Sequence, residues 1–149
     1  MIRADSTPSS GITLSICTRC RDGRERDAED VRGGARLARA LAAESGASLP
    51  HRLRGVACMS QCKRPCTVAV SAAGRFTYLF GDLDPTRDAS AVLAFLPLYA
   101  AAPEGFVARA DRPEVLRAGI LGRIPPLETA SLLVTPLALD PSHVPETIP

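Results

Sequence analysis

The chain has no tryptophan, only 4% aromatic residues, two histidines and a single lysine, Lys63. So poor a supply of rings excludes the stacking platforms on which single-stranded nucleic acids are bound. No apolar run approaches the roughly 20 residues of a transmembrane helix. The opening stretch Met1-Ile2-Arg3-Ala4-Asp5-Ser6-Thr7-Pro8 lacks the apolar core of a signal peptide. Glycine-rich phosphate loops, Ser/His/Asp sets and internal repeats are missing too. A net charge of +2 provides no strong field for nucleic acid or anionic lipid. The expectation is a cytoplasmic protein with neither nucleic acid nor membrane as partner. Its 149 residues, 46% of them hydrophobic, suffice for one buried core.

What is present is unevenly placed. Residues 1–66 carry twelve Lys+Arg against seven Asp+Glu, whereas residues 67–149 carry six against nine. All five cysteines lie in the basic part. In a reducing compartment, clustered cysteines point to metal or redox chemistry rather than to structural disulfides, and their odd number points the same way.

Patterning predicts an α/β domain. Residues 1–11 read as a flexible lead-in. Thr13-Leu14-Ser15-Ile16-Cys17 alternates as a strand does. Residues 18–34, charged and containing Gly23, Gly33 and Gly34, read as an exposed loop. Residues 35–43 read as a helix with Leu37 and Leu41 at i, i+4 spacing, stopped by Gly46. A second strand at 52–57 runs into Cys58. Residues 67–71 and 76–80 read as a hairpin about 72–75. A second helix follows at about 88–101, with Val92, Phe95, Leu96 and Tyr99 on one face and Pro97 as a kink or early stop. A short helix at 113–121 and a proline-rich tail over 128–149 complete the reading, which makes residues 12–127 the domain: a small mixed sheet with helices packed on it.

The chemistry-bearing signal is Cys17-Thr18-Arg19-Cys20, then Cys58-Met59-Ser60-Gln61-Cys62-Lys63-Arg64-Pro65-Cys66. Each motif begins where a predicted strand ends. If those strands are neighbours, both loops emerge at one edge and thiolates converge there, as iron–sulfur clusters and structural zinc require. Arg19, Arg21, Lys63 and Arg64 lie beside the thiols and would stabilise a cluster's negative charge.

A strand ending in C-x-x-C, followed by C-[LM]-x-x-C-x-x-P-C-x-V-A, resembles the DUF1636 family of predicted metal-binding proteins. Thr77-Tyr78-Leu79-Phe80-Gly81-Asp82-Leu83 and Arg123-Ile124-Pro125-Pro126 fit that family too, so the resemblance spans about residues 12–127. It implies a thioredoxin-like ferredoxin fold and a [2Fe–2S] cluster held by Cys17, Cys20, Cys58 and Cys62, with Cys66 as a substitute ligand. It also implies an electron carrier or accessory redox protein without substrate chemistry of its own, served by a redox partner protein, and a homodimer as related ferredoxins form. The chain departs from those ferredoxins in placing its first two cysteines only two residues apart.

Three rival readings accompany this one. Four thiolates also make a structural zinc site, in an adaptor or metal-handling domain. C-x-x-C after a first strand is also the mark of a thiol–disulfide oxidoreductase, although no helix follows Cys20 directly to lower a thiol pKa. Cys66, entering a strand, reads equally well as a small buried hydrophobe. Among the remaining groups, His51 and His143 read as solvent-facing, Asp82 and Asp84 as helix caps, and Arg21, Arg24 and Arg26 as a docking face for a partner.

Overall fold

A computed structural model describes residues 11–46, 51–128 and 130–137. The expected lead-in (apart from Gly11), His143 and the end of the tail lie outside the described residues. The elements run β1 (Thr13–Cys17), α1 (Gly33–Ser45), β2 (Arg52–Val56), β3 (Val68–Ser71), β4 (Thr77–Phe80), α2 (Ala89–Ala101), α3 (Glu114–Ala118) and β5 (Ile120–Ile124). Single 3-10 turns at Pro103–Gly105 and Arg109–Asp111 lie between α2 and α3.

One five-stranded sheet results, in the order β2-β1-β3-β4-β5. β1 and β2 are parallel, with Cys17 opposite Val56 and α1 as their crossover, and every other neighbouring pair is antiparallel. The α/β class and the mixed sheet are therefore those expected from the patterning. The fifth strand was not: residues 119–124 fall within and just beyond the segment read as a helix. Gly119 ends α3 after five residues, and Ile120–Ile124 then has the extended edge of β4 to pair with.

Alternation places Val68, Val70, Tyr78 and Phe80 in the core from β3 and β4, against Leu37 and Leu41 of α1 and Val92, Phe95, Leu96 and Tyr99 of α2. α1 and α2 pack on each other, and α1 also lies on β1. The six rings of the chain are concentrated rather than spread. Phe95 meets Tyr78 edge-on at 5.1 Å and Phe80 at 5.2 Å, while Phe76 and Phe106 form a second edge-on pair at 5.7 Å. Such geometry adds ~0.5–1.5 kcal/mol per pair beyond the burial itself. Pro97 neither stops nor shortens α2: it lies on the exposed side, and the helix runs on to Ala101.

Two polar assignments change. His51 is buried (3% exposed) in the gap between the end of α1 and α2, with Nε2 3.3 Å from the Ser45 hydroxyl. The residue precedes an edge strand, but β2 is drawn in beside β1 by the bond from the Arg52 N–H to the Ile12 carbonyl, 2.9 Å. Asp82 is not a cap: it sits in left-handed backbone (φ 58°) and pairs with Arg64. Asp84 accepts the Thr86 N–H and two bonds from Arg24, and Asp88 is the residue at the head of α2.

Candidate cysteine centre

Parallel pairing of β1 and β2 sends both carboxyl ends the same way, so the C-x-x-C turn and the Cys58 loop leave one end of the sheet together. Thr18 stitches the two exits, its N–H and its hydroxyl both bonding to the Val56 carbonyl at 2.9 and 3.3 Å. β3 runs antiparallel to β1, which returns Cys66 and Thr67 to the same end. There the Cys17 N–H bonds to the Thr67 carbonyl at 3.0 Å, and Cys66 pairs with Leu83 through both backbone groups.

The five thiols fall into two environments. Cys17, Cys20 and Cys66 are buried, while Cys58 and Cys62 are exposed, and all five are free. Burial pushes the Cys17 thiol up, yet the Arg19 N–H, the Cys20 thiol and the N–H groups of Met59 and Cys20 all face its sulfur. The balance leaves it below its ordinary value. Burial raises Cys20, and so does its hydrogen bond to Cys17; its sulfur lies 3.9 Å from the Thr67 hydroxyl. Cys66, fully enclosed, is pushed up to about 12, chiefly by burial and then by the proximity of Cys20. It therefore packs as a protonated, apolar side chain. Cys58 accepts the Ser60 N–H at 3.4 Å.

Behind the C-x-x-C turn stands the first turn of α1. The Gly34 N–H bonds to the Cys20 carbonyl at 3.0 Å, and the Arg32 guanidinium reaches the Arg19 carbonyl at 3.0 Å. A Cβ on Gly34 would lie 1.9 Å from the Cys17 carbonyl oxygen, so only glycine permits this approach. The loop between them is not simply solvated. The Glu25 carboxylate accepts the N–H groups of Asp22 (3.1 Å), Gly23 (3.1 Å) and Gly33 (2.8 Å), and Arg36 pairs with Asp22 at 2.6 Å. Sequence reasoning missed Glu25 and Gly34. The glycine doublet just before an Ala-rich helix was the available signal for a close approach.

The basic residues divide likewise. Arg24 is held by Asp84 at 2.8 Å, Arg26 by Asp30 at 3.1 Å and Arg64 by Asp82. Of the three arginines read as a docking face, Arg24 and Arg26 are exposed but ion-paired, whereas Arg21, like Arg19 and Lys63, is exposed and without an ion pair among the described residues.

Thiols presented from two loops, with backbone N–H groups bonded to sulfur, are the donor chemistry a thiophilic metal or an iron–sulfur group requires. Among the described residues, however, no three His, Cys, Asp or Glu side chains are grouped so as to hold a metal ion. Cys17 and Cys20 are brought together; Cys58 and Cys62 face solvent and would have to turn inward to join them. No helix of the described residues is long and apolar enough to cross a membrane.

A search of curated proteins finds no match. Among solved structures, a thioredoxin-like [2Fe–2S] ferredoxin from Aquifex aeolicus superposes with a TM-score of 0.49 and 14% identity, over 77% of this chain and 94% of that one. A likeness so slight carries no argument about cofactor. Residues 14–126 match the family described as "Protein of unknown function (DUF1636)". With that match covering most of its length, the chain belongs to the DUF1636 family.

Proposed function

We propose that the chain is a cysteine-centred redox protein that takes up an iron–sulfur cluster of the two-iron kind on Cys17, Cys20, Cys58 and Cys62 and serves a partner protein. The observation that most supports this reading is the reach of the second cysteine loop across the first motif. Met59, flanked by Cys58 and packed against the core, turns its N–H towards the Cys17 sulfur and helps lower that thiol's pKa. The exposed thiols thus sit on a segment already in contact with the buried pair. Such a cluster, when bound, would supply a one-electron couple at the surface. The chain's own groups would set its charge balance: N–H bonds to sulfur, and Arg19, Arg21 and Lys63 at the rim, attract an acidic partner and favour the reduced, more negative state.

A second reading draws on a different observation. The Cys17 and Cys20 thiols lie close enough to shift each other's pKa, and the first turn of α1 stands against the pair. A helix does follow the motif in space, although not in sequence, which removes the main objection to a thiol–disulfide role. In that role the two thiols would give up two protons and two electrons to a disulfide-bearing partner and become a disulfide.

The deciding experiment is iron, zinc and acid-labile sulfide content with a visible spectrum, on protein purified without oxygen. About two irons and two sulfides per chain, lost in Cys58→Ser and Cys62→Ser, is the expected result. Zinc without sulfide, unchanged after iron and sulfide are offered, would replace the electron carrier by a zinc-held domain. No metal, with reversible oxidation of Cys17 and Cys20 alone, would establish the dithiol.

A further inference from the structure

At the far side of the sheet, beyond β3 and β4 from the cysteines, one cation stands without an explanation. Arg112 follows the turn Arg109–Asp111 and is only 7% exposed. Its Nε and Nη1 are shut off from solvent and have no hydrogen-bond partner among the described residues. Among the described residues its guanidinium meets the face of Tyr78, 5.9 Å away. The Tyr78 hydroxyl is already committed, donating to the Val107 carbonyl and accepting the Val107 N–H. A buried guanidinium so placed is costly unless an anion meets it, and burial accordingly lowers its affinity for a proton.

More positive charge surrounds it rather than less. Arg123 lies over the Phe106 ring at 3.8 Å, which fixes its plane. Arg109 and Arg117 donate to carbonyl oxygens, those of Arg117 and Arg112. None of the four arginines has a carboxylate partner among the described residues. Arg112 and Arg123 also line a cavity of about 450 Å³, completed by Ile120, Leu121 and Gly122. That volume falls in the range of small-molecule sites.

We propose that this cavity is a binding site for the oxyanion group, carboxylate or phosphate, of a small molecule, with Arg112 as its inner cation and Arg123 as its outer one. Guanidinium forks suit both anions, and Ile120 and Leu121 provide an apolar wall for the rest of the ligand. The site is independent of the cysteine centre and of what that centre binds.

The test is calorimetric titration of the full chain with inorganic phosphate and, separately, with succinate, at constant ionic strength against a chloride control. Saturable binding of either probe is expected, and the better probe identifies the oxyanion. Arg112→Met, which keeps the volume and removes the charge, should abolish it. Arg123→Gln, on the surface and safe for folding, should weaken it about tenfold, as the loss of one charge-assisted bond does. If neither probe binds above the chloride control, or binding is undiminished in Arg123→Gln, the site does not exist. Metal content plays no part in the readout, so this proposal stands or falls apart from the cluster.

Discussion

The two cysteine motifs leave the same end of the sheet, yet they are built differently. Cys17 and Cys20 sit on a turn clamped from three sides, by β2 through Thr18, by α1 through Gly34 and by the Glu25 carboxylate through the loop. Cys58 and Cys62 sit on a loop that shows its thiols to solvent and meets the clamped turn at Met59. The difference teaches that one half of the centre is set when the chain folds and the other half is left to adapt. In such a division the rigid half costs stability when altered, and the adaptable half costs only binding.

The sharpest way to break that contrast is Gly34→Ala. Its Cβ would fall 1.9 Å from the Cys17 carbonyl oxygen, so either α1 or the C-x-x-C turn must move. A loss of about 1–3 kcal/mol is expected in denaturant unfolding, the size of other overpacking defects. A loss below about 0.5 kcal/mol would mean that the clamp is loose. Cys20→Ser comes next, at about 1–2 kcal/mol, because a hydroxyl buried beside Cys17 and Cys66 is worse paired than a thiol. Cys58→Ser should be within about 0.5 kcal/mol of the parent in metal-free protein, as surface changes are. Equal losses for the two serine variants would erase the distinction between the halves.

Sequence patterning was most legible where one force dominated. Leu37 and Leu41, or the alternation in β3 and β4, announce their elements because burial alone decides them. The strand ends that collect the cysteines were legible too, since a parallel pair joined by a helix must put both exits together. Legibility failed where a partner distant in sequence decided the outcome. β5 exists because β4 has an open edge, and Ile120–Ile124 carries no strong strand pattern of its own. His51 is buried by the placement of α2, forty residues later. Arg24 and Arg26 read as free charges until Asp84 and Asp30 are seen to hold them. The burial of Asp22 and Glu25 was hidden for the same reason: a carboxylate that satisfies backbone N–H groups looks, in sequence, like any loop carboxylate.

Acid should separate the clamped turn from the rest of the molecule in two steps. Burial pushes the Glu25 carboxyl up, but the N–H groups of Gly33, Glu25 itself, Asp22 and Gly23 outweigh it and hold it at about 2, against an ordinary 4.5, so the folded state binds its proton more weakly than the unfolded state does. Its contribution is complete above about pH 4.5 and is lost as pH falls towards 2. Amide protection in residues 18–34, measured against the exchange rate of an unfolded chain at the same pH, should fall in that window, and Glu25→Gln should remove the step. A turn that stays protected down to pH 2 would show that Glu25 is not the clamp.

The smaller step lies higher and elsewhere. Burial lowers the His51 pKa, and its Nδ1 has no partner among the described residues. An imidazolium there would be desolvated, so the fold holds the ring neutral. Below about pH 6.5 the unfolded chain takes up a proton that the folded chain refuses, and stability must fall as pH falls. His51→Gln, able to keep a bond to Ser45, should flatten the stability profile below about pH 6.5 and leave the lower step untouched. Because His51 lies where α1 ends and the cysteine turn lies where it begins, the two variants report on opposite ends of one helix. If His51→Gln shifts both steps, the helix transmits protonation along its length, and the cysteine turn cannot be treated as a separately braced unit.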